Sequence, residues 1–128
     1  MSYRFISTKV HGVIDYIEGI ALILAPWIFG FSEVGGAAVV VPMVLGVGLI
    51  IYSIFTKYEM GLVKVLGMPY HLIIDAVAAL FLLFSPWIFG FYDPDMLNVW
   101  VPHVVVGVAV LLIVLFTETE PRSHAAIS

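Results

Sequence analysis

Four runs of about twenty residues each, near positions 13–31, 37–56, 70–91 and 97–116, carry almost no charge. Each is long enough to cross about 30 Å of hydrocarbon as a helix. A chain crossing lipid must satisfy its backbone N–H and C=O groups internally, and a helix does so within one segment. The rest of the composition agrees: 62% of the residues are hydrophobic and 11% charged, far from a soluble domain. Lys9 before the first run gives it a superficial likeness to a secretory signal. No small-residue cleavage site follows Trp27-Ile28-Phe29-Gly30-Phe31, and that segment recurs in mid-chain, so the first run reads as a span.

All five basic residues fall on one side of this pattern. Arg4 and Lys9 precede the first span, Lys57 and Lys64 lie between the second and third, and Arg122 follows the fourth. The opposite loops hold Glu33, Asp93 and Asp95 without Lys or Arg. The positive-inside rule therefore predicts cytoplasmic termini and a cytoplasmic central loop, with Trp27, Trp87, Trp100 and Tyr92 near the outer face as an aromatic belt. With no cysteine, disulfides, thiolate metal sites and Fe–S clusters are excluded. A net charge of -4 offers no basic stripe for a phosphate backbone, so nucleic acid is not an expected partner.

A shift of sixty residues lays His11-Gly-Val-Ile-Asp15 over His71-Leu-Ile-Ile-Asp75, and Ala25-Pro26-Trp27-Ile28-Phe29-Gly30-Phe31 over Ser85-Pro86-Trp87-Ile88-Phe89-Gly90-Phe91. Arg4 falls over Lys64 and Pro42 over Pro102; a one-residue slip then pairs Gly46 with Gly107 and Phe55-Thr56 with Phe116-Thr117. The expected organisation is a first repeat at 1–60, a second at 61–120 and a cytoplasmic tail at 121–128. An even number of spans returns the chain to its starting side, so the repeats should be parallel and related by a pseudo-two-fold axis along the membrane normal. The predicted fold is all-α, a polytopic four-helix bundle. The Ser85-Pro86-Trp87 element and its variant Ala25-Pro26-Trp27, in the first helix of a two-helix repeat, resemble the SPW-repeat family of small bacterial membrane proteins. The resemblance covers nearly the whole chain and implies architecture and a membrane location, with a bacterial inner membrane the expected one; it carries no activity to particular residues.

Pro26 and Pro86 lie near the ends of their helices, where each removes one backbone hydrogen bond. Trp27 and Trp87 then anchor at the interface, Gly30 and Gly90 let the chain turn, and Ser85 is placed to bond a carbonyl of the preceding turn. The element reads as a structural helix-ending device. The alternative is an outer-face site made by both copies and joined by His103, which aligns with Met43 and is not duplicated.

The most informative polar feature is the pair of His-Asp sets. His11 with Asp15 and His71 with Asp75 are each four apart, so each pair shares a helix face near the cytoplasmic end. Glu18 extends the first face, where the second copy has Ala78, and Ser53 and Thr56 are candidate hydrogen-bonding neighbours. The plain reading is packing and register. The functional readings, prompted by ionisable groups inside a membrane, are a divalent metal site using His11, Asp15, His71 and Asp75, a b-type haem between His11 and His71, or a proton or cation relay including Glu18.

No nucleophile stands beside a base, so no enzyme is expected and no cofactor is required. The matched prolines sit near the outer ends, and Ile20–Leu24 and Leu80–Phe84 are apolar throughout, so one bundle offers no hydrophilic path. Met60–Gly67 is a candidate amphipathic piece at the interface, and the tail with His124 is expected to be solvated. The leading expectation is a small non-enzymatic accessory or scaffolding membrane protein. Its partners would be lipid together with further copies or a larger membrane complex, reached through helix faces rich in small residues.

Overall fold

The computed structural model describes residues 3–122. Four helices run α1 (Thr8–Ile28), α2 (Gly36–Ile54), α3 (Met68–Ile88) and α4 (Leu97–Phe116), with a short 3-10 turn at Ser32–Val34. All four are long and apolar enough to cross a membrane. Among the described residues there is no strand, only the isolated bridges Ile6 to Thr117 and Thr56 to Leu66.

Hydropathy places these helices correctly and their ends imperfectly. α1 begins at Thr8, five residues before the expected start, because the Ser7 side chain accepts the Val10 N–H at 3.2 Å and caps the helix there. α3 begins at Met68, with Pro69 in the first turn, where a missing N–H costs nothing. At the far end α1 and α3 stop at Ile28 and Ile88, three residues short of the expected limits. Gly30 and Gly90 take the left-handed conformation, with φ of 72° and 71°, and turn the chain out of the helix.

The Pro-Trp element has a clear local logic. Pro86 cannot bond the Leu82 carbonyl, one helical repeat back, and the Ser85 hydroxyl donates to that same carbonyl at 2.7 Å. In lipid such a replacement bond matters because no water can supply it. Ala25 offers no hydroxyl for the equivalent position before Pro26.

Each hairpin is drawn tight by small residues. A Cβ on Gly46 would lie 2.6 Å from the Gly19 carbonyl oxygen, and one on Gly107 would lie 2.9 Å from that of Ala79. The backbones of α1 and α2, and of α3 and α4, therefore approach as only Gly permits. Between the hairpins lie three small apolar clusters, centred on Phe31 and Val99 at the far end, on Leu22 and Leu82 in the middle, and on Tyr58 and Leu72 near the termini. A cavity of about 140 Å³ remains in the seam, touched by Glu18, Ala25, Leu82 and His103. Outside, aliphatic side chains such as Ile17, Ile20, Val44, Val77 and Leu112 stand exposed, as a surface facing bilayer lipid requires.

The Met60–Gly67 segment forms no helix. The 57–67 connection folds back on α2, with Leu62 and Val63 N–H donating to Ile54 O at 2.8 and 3.0 Å and Lys57 N–H to Leu66 O at 2.7 Å. Lys64 Nζ donates to the Tyr58 and Gly61 carbonyls at 2.5 and 3.1 Å, which holds the turn closed over a Tyr58 only 1% exposed. Of the expected tail, Arg122 pairs with Glu118 at 3.0 Å, while 123–128, including His124, lie outside the described residues.

Candidate functional site

Because α1 and α3 start early, His11 and His71 occupy their first turns and Asp15 and Asp75 their second. The sets face one another across the seam, and all four residues are at most 3% exposed. The closest contacts run between halves of the chain: His11 Nε2 lies 2.9 Å from Asp75 Oδ2, and His71 Nε2 lies 3.0 Å from Asp15 Oδ2. The contacts along each helix are longer, at 3.2 Å for His11 to Asp15 and 3.3 Å for His71 to Asp75. The four side chains form a closed ring in which imidazoles and carboxylates alternate.

The orientation of both imidazoles follows from two threonines. Thr56 Oγ1 lies 2.6 Å from the Tyr52 carbonyl oxygen and Thr117 Oγ1 lies 2.5 Å from that of Ile113, so each hydroxyl spends its one hydrogen inside its own helix turn. Each oxygen can then only accept from the imidazole beside it, His71 Nδ1 at 2.7 Å and His11 Nδ1 at 2.8 Å. Both Nδ1 atoms therefore carry hydrogen and point outward, and both Nε2 atoms point into the ring. Arg4 caps the same helix end, donating to the carbonyls of Val114 and Thr117 at 3.0 and 2.7 Å.

The carboxylates are held by two tyrosines that break the symmetry. Tyr52, on α2, donates to Asp75 Oδ1, whereas Tyr58, from the connection, donates to Asp15 Oδ2 at 2.7 Å. Burial and the Asp15 carboxylate both push the Tyr58 phenol above its usual pKa, which keeps it a donor. Tyr58→Phe is expected to cost about 1.5–3 kcal/mol, the range for a buried hydrogen bond to a charged group, read as a lower unfolding midpoint in bicelles.

Of the residues singled out in the sequence, His11, Asp15, His71 and Asp75 come together. Thr56 holds an imidazole, and Ser53 lies against Tyr58. Glu18 does not join the ring; it lines the seam, touching a narrow crevice with Tyr52 and Asp75 and the larger cavity beyond. The imidazole centroids are 5.4 Å apart in edge-to-face contact, with both carboxylates against them, so no slot for a porphyrin lies between. Tyr52, Tyr58 and Thr117 were not foreseen. Thr117 had a signal, since the one-residue slip lays it over Thr56; Tyr58 sits in a stretch without periodicity and had none.

At the far end, His103 does join the two halves. Its Nδ1 lies 2.6 Å from the Val99 carbonyl oxygen and its Nε2 3.0 Å from that of Ala38, with Phe31 and Phe91 on either side at 5.4 and 4.8 Å. Both nitrogens face backbone carbonyls, one on its own helix and one on α2, which makes His103 a brace. Trp87, Tyr92 and Trp100 cluster nearby at 5.0 to 6.3 Å, and Trp27 stands exposed.

The family model of the SPW repeat domain matches residues 9–117, a stretch holding both Pro-Trp elements and both His-Asp sets. The chain belongs to the SPW repeat family. No curated protein and no solved structure matches this SPW repeat protein. Thr117, which holds the His11 imidazole, is the last residue the SPW repeat model covers.

Proposed function

We propose that this protein is a small non-enzymatic component of a bacterial inner membrane, with both termini cytoplasmic, that works by associating through its helix faces. The observation carrying this reading is Gly48. It sits in the interior of α2, and a Cβ there would meet nothing within 4 Å. A helix-interior Gly costs about 0.5–1 kcal/mol relative to Ala, and nothing inside this bundle requires it. Val40, Val44, Val47 and Ile51 stand exposed around it, so α2 presents an apolar face with a notch, the surface on which membrane helices approach one another. The polar side chains of the spans support the same reading, being used to join the halves rather than to build a substrate pocket.

Gly48→Leu tests this directly. Native mass spectrometry from lipid nanodiscs is expected to release the wild type in an assembly of more than one chain and the variant as a single chain, with helical content unchanged. A wild type that leaves the membrane as a single chain, or a variant assembled as fully as the wild type, contradicts the reading. The convergence of His11, Asp15, His71 and Asp75 favours a second reading, binding of a metal ion.

A further inference from the structure

We infer that the His11, Asp15, His71 and Asp75 ring is a binding site for one divalent transition-metal ion of the zinc type. The geometry is close to what such an ion needs. One ligand atom from each residue lies within 4.8 Å of all the others, and the four His–Asp contacts, which use both oxygens of Asp15, measure 2.9 to 3.3 Å. A tetrahedral ion with ligands at about 2.0–2.1 Å has edges of about 3.3–3.4 Å, so it is admitted when the His–Asp approaches lengthen slightly and the widest separation, up to 4.8 Å, contracts.

The surroundings are those of a ligand set. Thr117 and Thr56 accept from the outward Nδ1 atoms, which turns both Nε2 atoms inward, and Tyr58 and Tyr52 orient the carboxylates. Partners of this kind fix the tautomer and rotation of metal-bound imidazoles and carboxylates. A separate observation points to the centre of the ring. His71 Nε2 is fully buried beside two carboxylates, yet it makes no well-directed hydrogen bond to either. That is the disposition of a nitrogen aimed between the oxygens.

Charge and donor type narrow the ion. One dication balances the two buried carboxylates, taking the place of the protons that the Nε2 atoms facing them otherwise carry. Imidazole with carboxylate and no thiolate suits Zn(II), Co(II) or Mn(II) over soft ions. Four protein ligands leave no open position, so the ion is structural and compatible with a non-enzymatic protein. Each half supplies one His and one Asp, so the bound ion staples α1 to α3.

The test uses full-length protein in detergent, without a polyhistidine tag, stripped of metal and titrated with Co(II). One Co(II) per chain with the visible bands of a tetrahedral complex, displaced by one zinc, is expected. Asp15→Asn/Asp75→Asn should abolish uptake. Thr56→Val/Thr117→Val, which keeps all four ligands, should weaken it about 10–100-fold. A folded wild type that takes up no stoichiometric Co(II) or zinc overturns the inference, as does full uptake by the Asp variant. Should the Asp variant fail to fold, the threonine variant decides, and unchanged affinity there counts against the site.

Discussion

Asp75→Ala is expected to destabilise the chain by about 3–5 kcal/mol, the range for removing one partner of a buried charged network. Three groups lose a partner at once: His11 and His71, whose Nε2 atoms face the missing carboxylate, and the Tyr52 hydroxyl, which donates to it. The ring is at most 3% exposed, so water cannot substitute without the helix ends opening. Polar contacts within membranes are worth less when the unfolded chain finds other partners, which favours the lower part of that range. Asp15→Ala should cost a similar amount through Tyr58. Glu18→Gln, outside the ring, should change stability little. Reversible unfolding in bicelles, followed for all three variants, separates a closed ring from a general need for acidic residues in the span.

Gly46 and Gly48 are two residues apart and are expected to respond in opposite ways. A Cβ on Gly46 would lie 2.6 Å from the Gly19 carbonyl oxygen and 3.0 Å from Leu22 Cβ, and backbone cannot move aside as a flexible side chain can. Gly46→Ala should therefore cost about 3 kcal/mol by overpacking, and Gly46→Leu should prevent the α1–α2 hairpin from closing. Gly48→Ala meets open space and should gain about 0.5–1 kcal/mol in the isolated chain from the better helix former. Unfolding of the four single variants, Ala and Leu at each position, measures this contrast. Equal losses at both positions would mean that the close approach of α1 and α2 is not at Gly19 and Gly46.

The number and order of the helices were legible in the sequence because lipid leaves a long apolar run few choices other than a helix. Their ends were less legible, because caps and turns set them: Ser7 starts α1 among polar residues that hydropathy discounts, and Gly30 and Gly90 stop α1 and α3 while the chain is still apolar. The His-Asp sets stood out because both recur at the same spacing. That each His reaches more closely to the other half's Asp was not readable, since four-residue spacing permits contact within one helix equally well. Only the relative rotation of α1 and α3 decides between them. Tyr58 was hidden for a different reason: it reaches the ring from a connection whose path depends on the Lys64 clasp and on Gly61, where a Cβ would lie 1.9 Å from the Thr56 carbonyl oxygen.

The central claim is that the ring joins the two halves of the chain, and a double-mutant cycle between His11 and Asp75, residues on different hairpins, tests it most directly. The stability losses of His11→Ala and Asp75→Ala should be strongly non-additive, with a coupling of about 1–3 kcal/mol, as for residues in one buried network. The coupling of His11 to Asp75 should be at least as large as that of His11 to Asp15, given contacts of 2.9 and 3.2 Å. Additive losses for His11 and Asp75, with coupling confined to His11 and Asp15, would contradict the account: each His-Asp set would then serve its own helix, and the ring would not join the halves.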